Sequence, residues 1–365
     1  MNRSLLYILL VAVSVLAACT SAPQPPAAAT QVADTLRYPE EKHLKNIRQL
    51  TFGGDNAEAY FSADGKYLTL QRTRPEEGVA CDQIFWGKVP VAGETFTLHP
   101  LSNGKGRTTC SYYMPDGQHI LYASTHHKAD SCPPAPDRAK IRKYVWAIYE
   151  TFDIFVADTA GQIVQQLTDS PGYDAEATIS PKGDRIVFTS TRNGDIDLYT
   201  MNIDGSDVKQ VTNGLGYDGG AFFSPDGSKL VFRASRPQTP EDVKEYKDLL
   251  AQGLVAPTNM ELYTCNVDGS DLKQITQLGK ANWAPYFHPL GNKILFASNH
   301  ASEGGRLFNL YLINLDGTGL ERVTYDTEFD SFPMFSPDGK TLVFASNRNN
   351  GETRHTNIFI ADWVE

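Results

Sequence analysis

One short pattern recurs six times in this chain and leaves few folds open to it. It reads FSPDGKTLVFASNR at 335–348, with sister copies FSADGKYLTLQRTR (61–74), YMPDGQHILYASTH (113–126), ISPKGDRIVFTSTR (179–192), FSPDGSKLVFRASR (223–236) and FHPLGNKILFASNH (287–300). In the first of these, Pro337 pre-sets φ and Gly339 supplies the positive φ of a tight turn. The strand that follows alternates, with Leu342 and Phe344 on one face. A second pattern follows the first after an insert of variable length. Its copies are DIFVADTAGQIVQQLT (153–168), DLYTMNIDGSDVKQVT (197–212), ELYTCNVDGSDLKQIT (261–276) and NLYLINLDGTGLERVT (309–324), with a degenerate one at 83–102. Two hairpins make a four-stranded antiparallel unit that cannot bury both of its faces alone. Neighbouring units must therefore stack around an axis. The expected fold is all-β, a six-bladed β-propeller.

The two ends of the chain explain each other. The sixth copy stops at NIFIADWV (357–364), a third strand with no fourth, while KNIRQLT (45–51) is a fourth strand with no third. Pairing them closes the ring and removes its exposed edges. Every long insertion, at 127–152, 237–260 and 301–308, falls between the second and third strands of a blade. One face of the ring is thus plain and the other decorated, and a decorated face commonly binds. In the 237–260 insert, Thr239, Pro240 and Asp242 form a helix start, and Val243, Tyr246, Leu249 and Leu250 form an apolar stripe that packs onto the propeller. The 127–152 insert runs from Cys132-Pro133-Pro134 through basic residues to Tyr144, Trp146 and Tyr149, the pattern of a lid or a ligand edge and not of a linker.

The N-terminus carries an export signal. Arg3 precedes an apolar run, and Leu16-Ala17-Ala18-Cys19 ends it with small residues before a cysteine. Residues 1–18 are expected to be cleaved, Cys19 to be lipidated, 19–42 to form a flexible tether and 43–365 to form the propeller. The formal net charge of −10 argues against a nucleic-acid surface. Disulfides are allowed in an export compartment. Cys265 aligns with the core positions Met201 and Ile313. Of the others, Cys110 and Cys132 flank one hairpin and are expected to pair.

Aligned copies give columns. One holds Arg74, His126, Arg192, Arg236, His300 and Arg348; a second holds Asn56, Thr108, Asp174, Asp218, Asn282 and Asp330; a third, at the start of the third strand, holds Gln83, Asp153, Asp197, Glu261, Asn309 and Asn357. A feature present in every blade reads as scaffold, here hydrogen bonds tying the second strand to the third. Departures from symmetry are better functional candidates. His126 and His300 replace Arg, His127 adjoins His126, and Glu176 and Glu58 stand where other blades have Gly220, Ala284 and Phe332. The candidate ligand-binding set is His126, His127, His300, Asp174, Glu176, Asp218, Asp330, Arg192 and Arg236, with His126 and His300 as candidate ligands of a divalent metal ion. The NIDGSD, NVDGSD and NLDGTG segments sit at hairpin spacing without a distal Glu, and so read as turns and not calcium loops.

Together, the SPDG and DG-S patterns resemble the WD-repeat-like propeller family typified by the C-terminal domain of TolB, over roughly residues 43–365. The resemblance implies a binding or scaffold module, and the leader implies a lipid-anchored monomer of the bacterial cell envelope, at the outer membrane. Its expected partner is an envelope protein, a peptide or a glycan, with no nucleic acid and only the lipid anchor in the membrane. Related propellers in oligogalacturonate lyases carry a metal held mainly by histidines. They imply the rival reading of a metal-dependent glycan lyase or hydrolase.

Overall fold

The computed structural model describes residues 34–365. The leader, Cys19 and the first part of the expected tether lie outside the described residues.

Six four-stranded antiparallel sheets form the ring. Blade 1 comprises Asp55–Phe61, Tyr67–Arg74, Val79–Lys88 and His99–Pro100. Blade 2 comprises Thr108–Tyr113, His119–Ser124, Asp153–Asp158 and Ile163–Gln166. Blades 3, 4 and 5 start at Asp174–Ile179, Asp218–Phe223 and Asn282–Phe287. Blade 6 is Asp330–Phe335, Thr341–Ser346 and Asn357–Trp363, completed by Leu44–Gln49 from the other end of the chain. That closing strand pairs antiparallel, Leu44 with Trp363 and Gln49 with Phe359. The first strands of neighbouring blades touch all the way round and line the central channel.

Stacking buries both faces of the middle strands. Leu342 and Phe344 pack into one core cluster, and Val343, on the opposite face, packs into another. The alternation in the sequence therefore separates two interfaces between blades, not core from solvent. Cys265 is fully buried between blades, as its alignment with Met201 and Ile313 implies.

The repeated turns meet at the plain mouth of the channel. A Cβ added at Gly183 would stand 2.8 Å from Cγ of Pro115 in the preceding blade, and one at Gly339 would stand 3.1 Å from Cγ of Pro289. Each of these glycines has a φ of 71°. Glycine is thus required both for conformation and for the close approach of the neighbouring turn. Gly117 faces open space, because the preceding blade has Ala63 where the other five have proline. The DG segments are turns: Asp204 Oδ1 accepts from the backbone N (3.0 Å) and hydroxyl (2.6 Å) of Ser206.

Two expectations are corrected. The tether does not run free to residue 42. Glu41 is fully buried and accepts from Arg348 Nη2 at 2.9 Å, Tyr38 donates to Asp326 at 2.8 Å, and His43 stacks on Trp363. The disulfide joins Cys81 to Cys132, leaving Cys110 as a free thiol. Cys81 begins the third strand of blade 1, beside the loop that leads into blade 2, where its Sγ lies 3.0 Å from the Gly106 carbonyl. Cys110 sits instead on a bulge of the innermost strand of blade 2, with φ of 46°, and lines the channel.

Candidate functional site

The symmetric columns are internal struts. Arg192 donates to both carboxylate oxygens of Asp174 at 3.0 Å, Arg236 lies 2.6 Å from Asp218, and Arg348 donates to Asp330 at 3.1 and 3.2 Å. Each ties the end of a second strand to the first strand of its own blade, where a tie to the third was expected. The third-strand column bonds onward to the fourth strand, as in Thr168 to Asp153 at 2.9 Å. Asp174, Asp218 and Asp330 are buried, and burial raises all three carboxyls while the arginines oppose the shift.

The histidines occupy the same column positions but bond within their own strand and not across to the first. Blades 2 and 5 have Thr108 and Asn282 in place of Asp, and His126 and His300 in place of Arg. Their Nδ1 atoms lie 2.8 Å from Ser124 and 2.9 Å from Ser298 respectively. Their rings pack on Phe155 and Tyr311 of their own third strands, at 4.4 and 4.6 Å. His127 Nε2 lies 2.9 Å from Asp153. Burial lowers the pKa of all three histidines. Blades 2 and 5 stand opposite one another in the ring, so His126 and His300 are not brought together as the expected metal pair. No group of three or more metal-ligating side chains occurs among the described residues.

The channel is lined by a different column. Every first strand slips register at the same place, for example between Ala57 and Tyr60, and the residue at the slip has positive φ. These six residues are Glu58, Cys110, Glu176, Gly220, Ala284 and Phe332, with φ from 46° to 61°. A bulge of this kind turns one extra side chain away from the pleat, here into the channel. Glu176 is heavily bonded there. Its carboxylate accepts from Tyr217 (2.8 Å), Thr189 (2.8 Å) and the Gly220 backbone (2.9 Å), and forms an ion pair with Arg233. Arg233 reaches it through space that only glycine leaves: a Cβ at Gly220 would stand 2.1 Å from Arg233 Nη1. The guanidinium lies 5.1 Å from the Trp146 ring and 5.4 Å from that of Tyr217. Arg233 was legible as a departure, since its column otherwise holds Gln71, Ala123, Thr189, Ala297 and Ala345.

Above this ring the two long inserts join into a lid. Trp146–Ala147 from the first insert pairs with Leu254–Val255 from the second in a two-stranded sheet. The helix Pro240–Leu250 carries the expected capping box at Thr239 and Asp242. It buries Tyr246 and packs Leu250 against the core. Trp146 packs on Trp283 (5.1 Å), and the Cys81–Cys132 bond staples the first insert to blade 1. Beneath the lid is a cavity of about 490 Å³ whose walls include Tyr149, Phe152, Tyr173 and Phe332, with Glu58, Asp82, Arg107 and Arg233 among its charged groups.

Glu58 is the unusual group in this cavity. Among the described residues it makes no ion pair; its side chain meets the hydroxyl of Tyr60 at 3.4 Å and the thiol of Cys110. Burial raises its pKa to about 7, aided by the charge of Glu176. Cys110, half-buried beside two carboxylates, has its thiol held well above the usual range by desolvation and by their charge.

The family model for the TolB beta propeller domain matches residues 135–245. A structure assigned as TolB from Agrobacterium tumefaciens is similar with a TM-score of 0.54 and 20% identity, over 87% of this chain and 97% of that one. TolB from Acinetobacter baumannii is similar with a TM-score of 0.51 and 18% identity, over 85% of this chain and 64% of that one. An oligogalacturonate lyase from Vibrio parahaemolyticus is similar with a TM-score of 0.50 and 12% identity, over 87% of this chain and 93% of that one. At such identities the likeness is one of fold. The architecture is a TolB-like six-bladed β-propeller, all-β, with its ring closed by the two ends of the described chain.

Proposed function

We propose that this chain is a lipid-anchored binding module of the cell envelope that takes a protein, peptide or glycan at its decorated face. The observation that carries the reading is the lidded cavity. It is assembled from the residues that break the repeat, and aromatic walls around a few polar groups are what a binding site requires. The anchor rests on the leader pattern ending at Cys19. The metal-dependent lyase reading is the weaker one because its candidate histidines stand in opposite blades.

Two experiments test the proposal. Peptide and glycan arrays probed with the purified chain are expected to give hits that Trp146→Ala weakens and Leu290→Ser, on the plain side, leaves alone. Hits with the reverse pattern overturn the decorated-face reading. Incorporation of labelled palmitate that stops in Cys19→Ser is expected, and labelling that persists removes the anchor.

A further inference from the structure

Blades 1 and 3 place a carboxylate at the same bulge position, but only one of them is neutralised from within the ring. Glu176 of blade 3 receives Arg233 from the second strand of blade 4. By the same geometry, Glu58 of blade 1 would receive its cation from the second strand of blade 2. The residue at that place is Ala123. The other guanidinium lining the cavity, Arg107, is held by Asp82 at 2.6 Å. Glu58 therefore faces a cavity that already cages one cation between rings and a carboxylate, and among the described residues no cation from the ring pairs with it.

We propose that the cavity receives a basic side chain of a peptide, an ammonium or guanidinium group, with Glu58 as its counter-ion. This rests on the decorated-face reading and gives it a ligand class. The guest reaches Glu58 from the cavity, because the Cys110 side chain fills the place that Gly220 leaves to Arg233. Aromatic walls favour an organic cation over a hydrated metal ion. The groups facing Glu58 are Tyr60, Cys110, Glu176, Arg233 and Asp82. Of these only Arg233 is cationic, and Glu176 already accepts its charge.

The probes are end-blocked pentapeptides Ala-Ala-X-Ala-Ala with X as Lys, Arg or norleucine, titrated into the purified full chain and read by calorimetry. At pH 8 the Lys or Arg peptide is expected to bind at least about tenfold more tightly than the norleucine peptide. Comparison of Lys with Arg identifies which cation the cavity prefers. The preference is expected to shrink at pH 5.5, where Glu58 holds its proton, and to vanish in Glu58→Gln at either pH. Equal binding of all three peptides, or a preference that survives Glu58→Gln, overturns the cation proposal and leaves the decorated-face reading standing. Glycan hits at the lid with no binding of any peptide do the same. No hits of any class at the lid overturn both.

Discussion

The two mouths of the channel hold cavities of similar size, about 430 Å³ on the plain side and about 490 Å³ on the decorated side. Their origins differ. The plain mouth is built from what the blades share: Pro115, Pro181, Pro225, Pro289 and Pro337 at equivalent turns, with apolar residues from each first strand behind them. The decorated mouth is built from what they do not share, namely Glu58, Glu176, Arg233 and the two inserts. A cavity on the symmetry axis is a consequence of closing a ring. Asymmetric chemistry inside one is not, and it is the better guide to function.

The comparison breaks outright if the shared scaffold tolerates loss of its closing strand. Deleting residues 40–51 removes Leu44–Gln49 from blade 6 and exposes the edge of Asn357–Trp363. The expected result is loss of the cooperative thermal transition, with aggregation, seen by circular dichroism and light scattering. A normal melt would show that the ring does not depend on this closure. The next effect lies in a single strut. Arg348→Ala leaves Glu41 and Asp330 buried without their cation, and is expected to lower stability by about 3–5 kcal/mol in urea unfolding. A change under about 1 kcal/mol would show that the strut is not structural.

Much of the scaffold was legible because repetition states it six times. Blade number, the closing pair, the position of the inserts and the capping box at Thr239 all follow from local pattern. The interior of the channel was not, and the reason is the bulge. Period-2 reading assigns faces on an unbroken pleat, so it gives no sign of an extra residue turned into the channel. One residue in αL at Glu58, Cys110, Glu176 and their counterparts shifts the phase of each first strand and gives the channel to a neighbouring column. The same shift explains the disulfide, since it turns Cys110 into the channel while the lid brings Cys132 to Cys81. Arg233 needed only a fourth column to be compared, and its place among uncharged residues marks it.

The disulfide offers a way to sharpen the contrast, because it belongs to the decorated side alone. Cys132→Ser opens a loop between residues 51 apart in sequence and is expected to cost about 2–4 kcal/mol. Limited proteolysis is expected to cut first within 127–152 while the blades stay intact. If cleavage instead begins in the blade strands, the lid is not an independent addition to the scaffold.

Glu58→Gln is expected to act in the opposite direction, and its pH dependence identifies the cause. The folded protein holds the Glu58 proton to about pH 7, whereas an unperturbed glutamate releases it near 4.5. Between those values the folded state binds more protons than the unfolded chain, so this carboxyl makes stability fall as pH rises through that window and level off above it. Replacing it with glutamine removes the penalty. Above pH 7 the variant is expected to be more stable than the parent by about 1–3 kcal/mol, allowing for screening through the open cavity. The gain is expected to fade toward pH 4.5. A substitution at the plain mouth, such as Leu290→Ser, is expected to show no such window. An equal gain at pH 4.5 and pH 8 would assign the effect to packing and remove Glu58's buried charge as its cause. A gain that follows the titration would mean that the chain keeps, at this one bulge, a carboxylate that weakens its own fold, as expected of a group retained for what it binds.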